Sequence, residues 1–325
     1  MEEQNKFTSS ADNGREITAE DLLNRKVESI PCLIEPIFQA VGLAAVAGSS
    51  DVGKSAFLRQ LAWAVGTGQQ SFLGWKIHSR HQSAIYVSTE DDENATSWLL
   101  NKLNKSQRQN PADCRGLRFI FDTSELLKEL DRRLTAKPAD LVVIDAFGDL
   151  YTGDANKSNQ IRQFLHDFSQ LAQNHKCLIL WLHHTGKRTD EEAPSKHHVI
   201  GGQGFEGKVR LLIELRRDHY DTGIRHLCIT KGNYLSDDFK NESFVLRFEN
   251  FHFERTDQRV PFEELARPKN EKEDDRAKYE RAVQLQSEGY TLQGIADALG
   301  YTHKGAVSKL LKRHRSEESK ENDVS

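Results

Sequence analysis

Gly48-Ser-Ser-Asp-Val-Gly53-Lys54-Ser55 has the spacing G-x-x-x-x-G-K-[ST]. Each residue type in it has a chemical task. The glycines let backbone N–H groups turn inward around a polyphosphate, Lys54 neutralises charge on the β- and γ-groups, and the Ser55 hydroxyl offers an oxygen to Mg²⁺. Ser49, Ser50, Asp51, Val52 and Ala56 complete the cradle, and the helix that follows adds its positive amino end. Apolar Gly42–Ala47 precedes the motif, and Ala56, Phe57, Ala62 and Trp63 follow at helical spacing. Strand, loop and helix in that order point to ATP and Mg²⁺ as cofactors.

Such a cradle needs acids beside it. Leu141-Val-Val-Ile-Asp145 is an unbroken apolar run ending in a carboxylate, which at the end of a buried strand reaches Mg²⁺ through water. Glu90 and Asp91 follow a strand-like stretch at 84–89, where a carboxylate can take a proton from attacking water. The same acids also suit the first turn of a helix. His183 and His184 close another apolar stretch, 177–182, and place a polar group toward a γ-phosphate. Adjacent histidines at a strand end point to opposite sides, which argues against their sharing a zinc ion.

The elements that must position these groups follow from periodicity. Helix-spaced apolar residues occupy 54–65, and Ile161, Phe164, Leu165, Phe168, Leu171 and Ala172 share one helix face. Strands separated by such helices form right-handed βαβ units and a mainly parallel sheet. After Gly204 the stretches 209–215, 226–230 and 243–248 read as antiparallel strands at the sheet edge. The fold class is therefore α/β. Residues 1–16 read as a disordered tail, with Thr18 and Asp21 capping a short helix after it. Residues 17–255 form the main domain, 256–276 a charged linker, 277–315 a small helical unit, and 316–325 a polar tail.

The chain has 325 residues and a formal charge of −4, so any polyanion site must be local. No apolar run approaches the roughly 18 residues that span a bilayer, and the polar, acidic start is unlike a secretory signal. Cys32, Cys114, Cys177 and Cys228 form no CxxC pair and read as reduced buried thiols in a cytoplasmic protein.

In the helical unit Thr291 caps a helix at 292–299, Gly300 makes the turn, and 304–313 forms a second helix. Between Ala298 and Arg315 there are five Lys/Arg and no Asp or Glu. Small Ala296 suits a tight helix-turn-helix, although Val307 falls one residue late for its usual apolar position. Lys304, Lys309, Lys312 and Arg313 are the candidate contacts to duplex phosphates. A plain helical hairpin for protein contacts is the other reading.

Across 30–255 the sequence resembles RepA-type hexameric helicases and their RecA/DnaB-like relatives. The resemblance rests on the glycine motif, Phe72-Leu-Gly-Trp-Lys, Tyr86-Val-Ser-Thr-Glu90-Asp91, Leu141–Asp145 and His183-His-Thr-Gly-Lys187. It implies a RecA-like fold with a P-loop, Glu90 as catalytic base, and His184, in preference to His183, as γ-phosphate sensor. It also implies cations reaching each site from a neighbouring subunit. Arg210 resembles the arginine finger, with Arg216 and Arg217 as alternatives, and Lys231 resembles a trans-acting lysine. That branch usually has an arginine where this chain has Asn233.

The resemblance further implies a homo-oligomer, a hexamer, with loops 148–159 and 186–204 lining a channel for single-stranded DNA. Lys187 and Arg188 are the candidate contacts there. Three activities follow: a DNA helicase serving a plasmid or mobile element, a DNA-binding regulator that does not unwind, and an adaptor whose P-loop serves assembly.

Overall fold

The computed structural model describes residues 16–186, 189–266, 271–301 and 304–322. A nine-stranded sheet organises the first three-quarters of the chain. Its strands in chain order are β1 (Gly42–Ala47), β2 (Ala84–Ser88), β3 (Leu117–Ile120), β4 (Leu141–Asp145), β5 (Leu178–Leu182), β6 (Leu211–Arg217), β7 (Ile224–Gly232), β8 (Glu242–Glu249) and β9 (His252–Pro261). They lie in the order β9-β8-β7-β6-β1-β5-β4-β2-β3. The six from β6 to β3 are parallel, and β7, β8 and β9 continue the sheet antiparallel.

Every residue of β1, β2, β4 and β5 is buried. That is what unbroken apolar runs dictate for strands covered on both faces. One face packs on α1 (Lys54–Gly66), whose residues are all buried except Ser55. The other packs on α3 (Leu126–Ala136) and α4 (Ser158–His175), with α2 (Glu93–Gln107) preceding them in the chain. The α3 residues Leu126, Leu130 and Leu134 recur every four positions and form its buried stripe. Register brings the carboxyl ends of the central strands level: Val46 pairs with Leu182, Ala47 with Glu214, and Ser88 with Asp145. Ligand crevices of open α/β sheets form at this end.

Three expectations need correction. The strand near 209–215 is β6, and it is parallel to β1 rather than part of an antiparallel edge. The charged stretch after 255 begins as the second half of β9 and a 3₁₀ turn, Phe262–Leu265, not as a linker. Its cations lie over aromatic rings: Arg255 is 4.4 Å from the Trp75 centroid and Arg259 is 4.1 Å from that of Phe244. The thiols divide, with Cys177 and Cys228 buried but Cys32 and Cys114 only half-buried. Residues 1–15 of the expected amino-terminal tail, 267–270 of the linker and the last three residues lie outside the described residues.

The carboxyl-terminal stretch folds as α5 (Glu271–Ser287), α6 (Leu292–Ala298) and α7 (Lys304–Asn322). Ala282, Leu285, Ile295, Ala296, Val307, Leu310 and Leu311 form a core of their own. Thr291 caps α6 by accepting from the Gly294 N–H at 3.2 Å, and Gly300 turns at φ 77°. Val307 is buried despite its late position. α7 runs to Asn322, so the helix extends well into the stretch expected to be a polar tail.

A buried clasp fastens α1 to the β8–β9 hairpin. Gln60 Nε2 donates to Phe253 O at 2.9 Å, and the Phe253 N–H donates to Gln60 Oε1 at 2.8 Å. Gln60→Leu leaves two buried backbone groups unsatisfied, each worth about 1–3 kcal/mol. Urea unfolding is expected to show a loss of about 2–4 kcal/mol; an unchanged midpoint would contradict the clasp.

Candidate active site

The loop after β1 is shaped by what cannot fit in it. A Cβ on Gly48 would stand 2.4 Å from Leu215 O, on the neighbouring strand β6. Gly53 holds φ 96°, and a Cβ there would meet Phe253 at 3.1 Å. Only glycine satisfies both positions. No side chain caps the first turn of α1, which leaves its amides facing the loop. Val52 and Ala56 are buried, while Ser50 and Asp51 are exposed. Two arginines brace the loop from β6 and β7: Arg217, one of the finger alternatives, and Arg225, which no motif marks. Arg225 Nε donates to Val52 O at 2.8 Å, and Arg217 Nη2 donates to Asp51 O at 3.0 Å.

Lys54 is buried, with Nζ donating to Ser49 O at 2.7 Å, so the ammonium is aimed across the loop. Burial lowers its pKa, and the charges of Asp145 and Glu90 oppose that. Asp145 is only 6 % exposed. Its carboxyl pKa is raised by burial, against hydrogen bonds from Tyr86 and Ser55. The Tyr86 hydroxyl donates to Asp145 Oδ2 at 2.5 Å. A buried carboxylate joined to a serine hydroxyl at the foot of a phosphate loop is a hard-oxygen pair of the kind Mg²⁺ takes, so the residues fit that ion.

Glu90 and Asp91 have different surroundings. Asp91 is held by Arg59, at 2.9 Å, and Arg59 also lies over the Tyr86 ring. The Glu90 carboxylate makes no hydrogen bond or ion pair among the described residues. Its pKa is raised, first by partial burial and then by the charges of Asp145, Asp149 and Asp91. Asp149, on the turn after β4, hydrogen-bonds Thr89 beside Glu90. The next-residue acid is thus occupied by a structural partner, and Glu90 is left to face the loop.

The histidines separate in the same way. His183 is buried between Phe147 and Phe205, at centroid distances of 4.7 and 4.4 Å, and burial pushes its pKa down to about 3. Its Nδ1 accepts from the His184 N–H at 2.7 Å. His184 is half-buried, and burial first, then the nearby Lys54 charge, lowers its pKa. The segment after β5 is tied to the phosphate loop: the His183 N–H donates to Val46 O at 2.9 Å and the Thr185 N–H to Gly48 O at 3.3 Å.

Of the arginine-finger alternatives, Arg216 is excluded because it is buried and paired with Glu214 at 2.6 Å. Arg217 contacts the phosphate loop of its own chain. Arg210 and Lys231 lie elsewhere. The Arg210 N–H donates to Leu43 O, at the start of β1, and Lys231 pairs with Leu212 across β6–β7. Both therefore sit at the opposite end of the sheet from the loop that follows Ala47. Lys231 Nζ is 3.0 Å from Glu206.

The segment at 186–204, expected to line a channel, is anchored to the sheet at its described residues. Buried Glu214 accepts from the Ser195 N–H and contacts His198, each at 3.1 Å, while Arg216 reaches the carbonyls of Thr189 and Glu192. His198 is accordingly held against β6. Lys187 and Arg188 lie outside the described residues, as does the Arg313 side chain. Lys304, Lys309 and Lys312 are exposed on α7.

A parallel sheet with a glycine cradle at the end of one strand and a buried aspartate two strands away defines a RecA-like P-loop ATPase domain. The chain matches the family model described as AAA domain over residues 12–190, and it belongs to that family. It is also similar in fold to a solved ATPase domain, with a TM-score of 0.54 and 13% identity over 73% of this chain and 96% of that one. No curated protein matches its sequence.

Two outcomes follow. Raising the Glu90 pKa keeps the carboxyl protonated to higher pH, so the acid limb of kcat/KM is expected above the ordinary carboxylate value of about 4.3. Asp149→Asn removes one like charge and moves that limb to lower pH; an unmoved limb contradicts the coupling. His183→Ala is expected to lose about 2–4 kcal/mol in urea unfolding, whereas His184→Ala keeps the wild-type midpoint and loses ATP turnover.

Proposed function

We propose that this chain is a cytoplasmic, ATP-hydrolysing motor that works on DNA as an oligomer, a hexameric ring of RepA type. In this reading it unwinds duplex during replication or mobility of a plasmid or other mobile element. The observation that carries it is the convergence of Lys54, Ser55, Asp145, Glu90 and His184 on one loop, while the cations Arg210 and Lys231 stand at the far end of the sheet. A site so built is complete only when a second copy supplies positive charge.

The phosphates lie along the amides of Gly48, Ser49, Ser50, Asp51, Val52, Gly53 and Lys54, with Ser55 and Ala56 beginning the helix behind them. Ser55 Oγ and, through water, Asp145 would hold Mg²⁺, which when bound neutralises charge on the β- and γ-phosphates. Glu90 accepts a proton from water as its oxygen adds to the γ-phosphorus, and the bond from that phosphorus to the β–γ bridging oxygen breaks. Lys54 stabilises the charge that collects on the departing oxygens. Its lowered pKa comes from the desolvation that also strengthens its pull on phosphate. His184 senses the γ-group and passes its presence to the segment that follows.

A second reading keeps the ATPase and replaces unwinding with regulation. Exposed Lys304, Lys309 and Lys312 on α7 favour it, since a helix-turn-helix contacts duplex rather than single strands.

Turnover measured with and without single-stranded DNA separates the readings. The motor predicts stimulation by single strands, strand separation, and a fall of about 100-fold or more in both for Lys54→Ala. A footprint on a defined duplex from a well-assembled oligomer that does not unwind favours the regulator. Unwinding that survives Lys54→Ala removes the motor.

A further inference from the structure

Three cations stand together with no anion beside them among the described residues. A cavity of about 620 Å³ opens at the amino-terminal end of the parallel strands, between the start of β1, α4 and the turn before β6. Arg162 from α4 and Lys208 and Arg210 from that turn line it, with Gln39, Gln173 and Tyr234. No carboxylate is among the described residues around it. None of the three charged groups makes a hydrogen bond or ion pair among the described residues.

Their neighbours are different. Glu206 pairs with Lys231 at 3.0 Å and Lys196 at 3.6 Å, and Glu214 pairs with Arg216. Acids balance the cations around the cavity and leave those inside it unbalanced. Such a group takes a multiply charged anion with several acceptor oxygens, which is the chemistry of a phosphate chain.

The chain's own phosphate loop cannot supply that anion. Leu43, to which the Arg210 backbone is bonded, stands five residues before Gly48, or about 16 Å at strand rise. The anion therefore comes from outside, and the chain's other end has the complementary character. Around the phosphate loop Asp51, Glu90, Asp92 and Asp149 are exposed and outnumber the exposed Arg217 beside them. An acidic end that carries a triphosphate meets a cationic end in a head-to-tail contact between copies.

We propose that Arg162 and Lys208, together with Arg210, form one receptor for the triphosphate bound on an adjacent copy. This rests on the oligomeric ATPase reading and adds two residues to its shared site. Arg162 and Lys208 then bear on turnover and on nucleotide-dependent assembly, and they act in a site to which their own chain contributes no phosphate loop.

The test uses the full chain and three preparations: wild type, Arg162→Ala/Lys208→Ala, and Lys54→Ala. With a non-hydrolysable ATP analogue, the double variant is expected to need at least 10-fold more protein to assemble in sedimentation. Its turnover is expected to fall at least 10-fold, with an unchanged thermal midpoint. Mixed with Lys54→Ala, which keeps the cationic face but lacks the loop lysine, it is expected to regain turnover, because one orientation of each mixed contact is whole. Arg162→Lys/Lys208→Arg keeps the charges and is expected to retain most activity.

No recovery on mixing, or assembly and turnover equal to wild type, overturns the proposal. So does a double variant that loses affinity for single-stranded DNA while turning over ATP normally, since the anion would then be a nucleic-acid backbone. Wild type that neither binds nor hydrolyses ATP removes the parent reading as well and is distinguished from those outcomes.

Discussion

A buried ammonium and a buried carboxylate must coexist at the end of two strands without collapsing onto each other. Lys54 and Asp145 are both almost out of water, where unpaired charge is severely penalised. Each is stabilised by a neutral partner: a backbone carbonyl for Lys54, and hydroxyls of Tyr86 and Ser55 for Asp145. Neutral partners leave the two charges free to act on phosphate and metal, which a direct ion pair would cancel. The rest of the sheet serves this arrangement. β1, β5 and β4 set the spacing, and α1 buries all but one of its residues to hold the lysine in place.

The same use of structural partners resolves choices that residue types leave open. Glu90 against Asp91, and His184 against His183, are pairs of identical or similar chemistry one residue apart. In each pair a tertiary contact engages one member and leaves the other facing the loop. Arg59 takes Asp91, and the aromatic packing of Phe147 and Phe205 takes His183. Neither Arg59 nor Phe205 is near its partner in sequence, so no motif could have made the distinction.

What could be read from the chain alone was whatever depends on local order. The glycine spacing, the apolar run ending at Asp145 and the stripe on α4 are visible because strand and helix periods impose them. β3 and α3 were missed because an edge strand reading Leu-Arg-Phe-Ile is only half-buried, and because α3 is charged on every side but its leucine stripe. β9 looked like a linker because its arginines lie on aromatic rings across the sheet, a use of charge that only the folded neighbour reveals. The structural pairing of buried Glu214 with Arg216 is hidden from the sequence for a related reason. They alternate along a strand as surface residues would, yet they bind the loop folded over them.

The amide of Thr185 ends on the carbonyl of Gly48. Residue 48 is the first glycine of the cradle, and residue 185 lies early in the span that crosses from β5 to β6. The two backbones are geared through that bond. A rotation of the peptide at 48 must either drag the later span or release it, and the span is pinned further along by Glu214. A nucleotide that turned that peptide would therefore be felt along the backbone between Thr185 and the residues that Glu214 holds.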